Sequence, residues 1–446
     1  MAKRAIVVGA GWAGCAAAES LAQAGARVAL VEARQGLGGR ARGVASRGLA
    51  LDNGQHLFLG AYHSALGLLA RLGTRSSVSM QARLRVPFLL PSGGAALLAC
   101  GPLPGLAGLL QGLFGYSALN GREKAQALGL GLWAGPELLQ AAWGQDPASL
   151  QGLSAEAWLL GRGQGTGVCR KLWEPLGLAA CNAALGQAPA SLFAAVLAQG
   201  FFKGGQSAGL GFSQVPLDEL LAPLPALLRS RGGELRLGAK AIALEFEQGR
   251  PVRLLLQDGQ RLAADAFVLA LPALQAAALL PADIRRLLGL DAMASLASSA
   301  IASAYLLCRK PLLKTDFGAF LDLEQGQPGW HWAFDKGPAA GGHLHCFVSS
   351  AAAHLAGLSR EALQASLCRQ LAAYLPGFEP AEVMESIFVV ERSATPLFTP
   401  ASLSLRPRQA TGIPGLGLAG DWTDTGLPAT LEGAVRSGQA AAEWVA

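Results

Sequence analysis

Arg4-Ala5-Ile6-Val7-Val8-Gly9-Ala10-Gly11-Trp12-Ala13-Gly14 opens the chain, and Val28-Ala29-Leu30-Val31-Glu32 follows closely. The first five residues read as a buried parallel strand. Gly9 permits a tight turn, Gly11 lets a pyrophosphate approach the backbone, and Gly14 lets a helix pack close to the sheet. Trp12 and Ala13 open that helix, which continues through Ala16, Ala17, Leu21 and Ala22 and stops at Gly25. Its free N–H groups and partial positive charge suit phosphate. Glu32 closes the second strand where a dinucleotide's ribose hydroxyls need an acceptor. The acid favours an unphosphorylated ribose, hence FAD or NAD over NADP. A similar glycine spacing at Gly415, Gly417 and Gly420 lies within a strand and opens no helix.

Composition frames this unit. The chain has 446 residues, 51% hydrophobic and only 15% charged. Single cores rarely exceed about 250–300 residues, so more than one domain is expected. The low charge argues against disorder. Net charge is +6, read as scattered surface arginine, since no basic run or aromatic-interleaved stretch suggests nucleic acid. Arg406 and Arg408 are the densest late basic pair. Seven cysteines form no CxxC pair, which argues against a disulfide framework and against zinc. His343 and His345 alternate as on one strand face and read as structural or surface histidines. No metal is expected.

Lys3-Arg4 and the apolar residues after them mimic a secretory signal, but the glycines explain that stretch better. No charge falls between Arg85 and Arg122. Pro87, Pro91, Pro102, Pro104 and many glycines interrupt this span, so a membrane-crossing helix, which needs ~20 apolar residues, is not expected. The expected location is cytoplasmic, with peripheral contact at the inner membrane face left open.

Gly36-Leu37-Gly38-Gly39-Arg40 resembles the GG-Arg motif of the flavin amine oxidase and phytoene desaturase superfamily. The resemblance implies that Gly39 and Arg40 contact the FAD diphosphate. Near the other end, Gly420-Asp421 is followed by a helix from about Ala429 to Val445. The superfamily pattern implies that Asp421 binds the ribitol or phosphate part of FAD. Thr430 and Leu431 would then meet the flavin pyrimidine, where a helix N-terminus stabilises the negative charge of reduced flavin. The strand near Ala241 would read the adenine.

Three further stretches look like the bacterial hydroxysqualene dehydroxylases: Asp52-Asn53-Gly54-Gln55-His56 with Gly60 and Tyr62; Trp173-Glu174-Pro175-Leu176 with Asn182 and Ala190-Ser191-Leu192; and Pro396 to Pro400, Arg406-Pro407 and Gly420 to Thr430. The similarity runs from first strand to last helix. It implies FAD as cofactor, an apolar isoprenoid substrate and reduction of hydroxysqualene to squalene, in a route often feeding hopanoids. Amine oxidation fits less well, because Thr430 stands where related amine oxidases present an aromatic residue.

The expected fold class is α/β, a Rossmann-like FAD-binding fold with an interleaved α+β substrate domain. The FAD domain would comprise about 1–75, 212–273 and 390–446, and the substrate domain 76–211 and 274–389. Apolar helices at Leu103–Phe114, Ala125–Trp143 and Leu192–Phe202 read equally as core or as tunnel lining. His56 and Asp424 are candidate general acids for loss of an allylic hydroxyl. Each also has a structural reading, as a hydrogen-bonder and as a cap of the last helix. No second nucleotide-binding unit is evident, so an unidentified reductant or redox partner must reload the flavin. A carotenoid-type desaturase and a non-enzymatic prenyl-lipid escort are the rivals. Retention of Glu32, Arg40 and Asp421 argues against the escort.

Overall fold

A computed structural model describes residues 3–46, 49–103, 105–202, 204–324 and 329–446. Pro104 lies outside the described residues. Five parallel strands form the central sheet, in the order 234–236, 27–31, 4–8, 266–269, 416–418. Residues 5–8 are buried, as a parallel strand covered on both faces requires. In-register pairing aligns Val8 with both Val31 and Leu269, and Leu269 with Leu418. The carboxyl ends of these strands therefore converge, where open α/β sheets bind ligands.

The first helix, Trp12–Gln23, leaves the central strand at the glycine loop. The closing helix, Leu431–Val445, packs against it backbone to backbone. At Gly438 a Cβ would lie 2.1 Å from the Ala13 carbonyl oxygen, so only glycine allows this approach. Both chain ends thus build one unit. Gly417 lies in the strand Leu416–Leu418, paired with Val268, and opens no helix.

A small antiparallel sheet of 241–247, 250–256 and 261–263 adjoins this unit. A second, seven-stranded sheet runs in the order 383–396, 298–308, 342–349, 332–339, 317–320, 85–89, 95–99. The strand Val383–Pro396 runs through residue 390, where the sequence suggested a boundary. Helices Gly105–Gly115, Gly121–Trp133 and Gly135–Ala142 lie in the segment that follows 95–99. The expected single helix Ala125–Trp143 is therefore two. Pro136, in the first turn of the second, has no N–H to continue the first. The expected Leu192–Phe202 helix is an α-helix over Ala190–Val196 that widens into a π-turn at Leu197–Phe201.

Two histidines of the large sheet region are buried and neutral. His331 accepts from the Ser350 N–H at 3.0 Å, and His345 from the Leu312 N–H at 3.1 Å. Burial pulls each down to about 4, with His354 beside the first and His343 beside the second adding to the effect and Asp335 opposing it at His345. Unfolded, both titrate near ~6.5. The unfolded chain therefore takes up the protons first as pH falls. Stability contributed above pH ~6.5 is lost toward pH 4, by about 3 kcal/mol per histidine. Denaturant melts at pH 7, 5.5 and 4.5 should show this loss. His331→Asn, which keeps an acceptor but cannot charge, should remove about half of it.

Candidate functional site

A cavity of about 1150 Å³ lies at the carboxyl ends of the parallel strands and reaches into the helical segment. Its polar end is the glycine loop. Cys15 is the first residue of the helix to donate within it, to the Gly11 carbonyl at 2.8 Å. The N–H groups of Trp12 and Ala13 thus precede the intrahelical ladder, and Gly11 offers no side-chain cap. Both residues line the cavity, as do Gly9 and Gly11. Such a terminus is built to receive an anion. Glu32 lines the same end. Its carboxylate is aimed by the Ala10 N–H at 2.7 Å and the Arg34 N–H at 2.8 Å.

Arg40 joins distant parts of the chain. It donates to Asp421 Oδ1 at 2.6 Å and to the Ala394 carbonyl at 2.7 Å. Gly39, Arg40, Gly420 and Asp421 all face the cavity. Asp421 is fixed from below. Gly420 donates its N–H to Ser437 Oγ at 2.8 Å. Arg406 is buried beneath the loop, donating to the carbonyls of Leu427, Thr423 and Asp421, with its guanidinium 4.6 Å from the Phe398 ring centre. Burial lowers its pKa to about 10. It is not the surface cation that the sequence suggested.

The closing helix presents its N-terminus to the same cavity. Thr430 caps it, accepting from the Gly433 N–H at 3.2 Å, and Thr430 and Leu431 line the wall. Glu432 points the other way. Buried, it accepts from the N–H groups of Ser64 (3.1 Å) and Ala65 (2.9 Å) and from Arg436 Nε (2.8 Å). It thereby caps the helix His63–Leu72, whose own N-cap, Tyr62, supplies no side-chain bond. Tyr62 lines the cavity near Thr430. Burial, with Glu432 nearby, raises its phenol well above the usual range.

Gly54, Gln55 and His56 line the cavity as well. His56 Nδ1 is 3.0 Å from the Gly54 carbonyl, and Gln55 accepts from Lys336 at 3.0 Å. Burial lowers the His56 pKa, with the Arg40 charge adding to it against the Gly54 hydrogen bond. Asn182 also lines the cavity, at φ +50°, and donates to Thr395 Oγ1 at 2.9 Å. Glu391, from the strand Val383–Pro396, adds a carboxylate that sequence reasoning missed. Beyond these groups the walls turn apolar, with Leu109, Leu113, Leu138, Leu172, Phe201 and Phe334 among the lining residues.

Three expected site residues lie outside this cavity. Asp424 is exposed. Its carboxylate accepts from the Gly426 N–H at 3.3 Å and its own N–H donates to the Pro407 carbonyl, so it shapes an outward turn and does not cap the closing helix. Ala241 starts the antiparallel sheet away from the wall. Ala33, Leu271, Pro272 and Gln275 line the cavity instead. Gly14 lies beneath the loop and packs on Gly9.

Compared with known proteins, residues 12–446 match the family described as flavin containing amine oxidoreductase. The chain is 32% identical to a hydroxysqualene dehydroxylase of Rhodopseudomonas palustris, covering 100% of this chain and 99% of that protein. It is 30% identical to a hydroxysqualene dehydroxylase of Sinorhizobium fredii, covering 99% and 98%. Among solved structures, an oxidoreductase from Methanosarcina mazei superposes with a TM-score of 0.70 at 16% identity, over 99% of this chain and 100% of that one. That likeness shows the fold.

Proposed function

The chain belongs to the flavin containing amine oxidoreductase family and is a flavin-dependent oxidoreductase, and from this we propose that it binds FAD and reduces hydroxysqualene to squalene. One observation carries the reading: a single cavity joins the anion-binding glycine loop to a leucine-lined volume. An isoprenoid hydrocarbon fits such walls, where burying apolar surface is favourable by roughly 25 cal/mol per Å².

The residues present fit FAD. The N–H groups of Trp12 and Ala13 would receive the pyrophosphate, with Arg40 beside it. Glu32 would hold the adenosine ribose, Asp421 the ribitol or phosphate, and the N-terminus at Thr430 and Leu431 the flavin pyrimidine. Reduced FAD, when bound, supplies the hydride that replaces the hydroxyl. The carbon–oxygen bond breaks, one proton is added to the departing oxygen and water leaves. Two tasks fall to the protein. Its apolar wall keeps water from the electron-poor allylic carbon, and a side chain delivers the proton. We assign this task to His56, which lines the cavity, over Asp424, which is exposed outside it. A separate reductant reloads the flavin, and the product, squalene, would supply hopanoid synthesis.

His56 carries a proton more often as pH falls, and its lowered pKa puts that gain below the usual histidine range. Turnover should therefore rise on the acid side until the fold yields. His56→Gln should lower kcat about 10²–10³-fold and remove that rise. Asp424→Asn should leave kcat within about twofold, since an exposed turn residue does not contribute to proton transfer. The reading itself is tested by supplying chemical reductant and hydroxysqualene, then extracting the lipid. Squalene is expected. Unchanged hydroxysqualene, with phytoene desaturated under oxidising conditions, would instead identify a carotenoid-type desaturase.

A further inference from the structure

The helices Gly105–Gly115, Gly121–Trp133 and Gly135–Ala142 are apolar on two sides. One side lines the cavity. The other leaves Leu103, Phe114, Trp133, Leu139 and Trp143 in solvent, with Phe114 61%, Trp133 70% and Trp143 79% exposed. Single exposed apolar residues are common on proteins, but a cluster of this kind marks an interaction surface. Phe114 follows the lining residue Leu113, and Trp143 follows the lining residue Ala142. Leu106 and Leu139 both line the cavity and are exposed, so the cavity's rim lies within this apolar surface.

Charge selects the occupant. Between Arg85 and Asp146 the charged residues are Arg122, Glu123, Lys124 and Glu137. Both acids are turned inward and buried. Glu123 pairs with Lys171 at 2.9 Å, and Glu137 pairs with Arg162. Lys124 donates to the Phe114 carbonyl and ties the first two helices together. Arg122 is exposed. The outward charge of these three helices is therefore positive, set among tryptophan and phenylalanine, and the exposed Asp146 lies in the turn after them. Aromatic rings prefer the water–lipid boundary, and basic residues favour anionic headgroups.

We propose that this face docks on an anionic lipid bilayer and seats the rim of the cavity among the headgroups. An isoprenoid dissolved in the bilayer would then enter without crossing water. That purpose rests on the substrate reading above; the docking itself does not.

Sedimentation with vesicles tests it. The purified flavoprotein is mixed with vesicles of phosphatidylglycerol and phosphatidylethanolamine, or of phosphatidylcholine alone, and pelleted. The wild type should pellet with the anionic vesicles, less so at high salt, and weakly with phosphatidylcholine. A variant combining Phe114→Ser, Trp133→Ser and Trp143→Ser should bind at least tenfold less. None of the three lines the cavity, so its flavin absorbance and its turnover of detergent-dispersed hydroxysqualene should stay within twofold. Equal pelleting of both proteins, or of neither, overturns the proposal. So does a dimer in light scattering that the triple variant abolishes, since a second copy would then cover this face. Pelleting without squalene formation would leave docking intact and count against the substrate reading alone.

Discussion

Gly14→Ala is expected to yield colourless protein, much of it insoluble, with flavin content below about a tenth of the wild type. A Cβ at this position would lie 1.8 Å from the Gly9 carbonyl oxygen and 3.1 Å from the Ala270 Cβ. The first contact is with backbone, so no rotamer relieves it. The first helix would have to withdraw from the sheet. It cannot withdraw freely, because the closing helix packs tightly along it with Gly438 against Ala13. Overpacking of this kind typically costs about 1–3 kcal/mol and more where backbone must move. The same shift carries the N–H groups of Trp12 and Ala13 away from the phosphates. The ratio of flavin to protein absorbance after purification in excess FAD checks this. A yellow Gly14→Ala protein with stoichiometric flavin would show that the loop tolerates displacement.

Glu432→Ala should have the second largest effect, on stability more than on chemistry. Its carboxylate receives two N–H groups at the start of the helix His63–Leu72 and pairs with Arg436. Removing it orphans both donors, one of them buried with no water to replace the acceptor. Breaking a buried pair from one side costs about 3–5 kcal/mol. Arg436 keeps about a third of its side chain in solvent, so a loss near the lower figure, about 3 kcal/mol, is expected. Glu432→Gln retains one acceptor oxygen and should recover part of it. Thermal unfolding of the flavin-loaded variants gives the comparison. Unchanged melting of Glu432→Ala would mean that the helix start finds another acceptor.

The strand, glycine loop and first helix were legible because their constraints are local. Gly9, Gly11 and Gly14, the strand before them and Glu32 after them each answer to one requirement of backbone or phosphate, and all lie within one short stretch. The two motifs that meet in the cavity wall, at Arg40 and at Asp421, were legible separately. The Arg40–Asp421 bond between them was not, since sequence order says nothing about which ends of a chain meet. Asp424 misled for the same reason. It stands three residues from Asp421, yet the backbone turns outward at Gly426, and neighbours in sequence face opposite ways. Arg406, half of the densest late basic pair, read as one of the scattered surface arginines, while a cage of carbonyls buries it. The leucine-rich helices posed a choice between core and tunnel. Periodicity reports an apolar face but not what that face meets. Here Leu130 joins the core, Leu109 lines the cavity and Trp133 meets solvent, all within one helical segment.

The central claim joins bound flavin, apolar cavity and reductive loss of a hydroxyl in one site. It is tested most directly by reducing the purified flavoprotein without oxygen, adding hydroxysqualene, and following flavin absorbance while the lipid is extracted. The predicted result is reoxidation of the flavin with one squalene formed per flavin. A flavin that stays reduced beside unchanged hydroxysqualene, yet reoxidises at once when air is admitted, would contradict it.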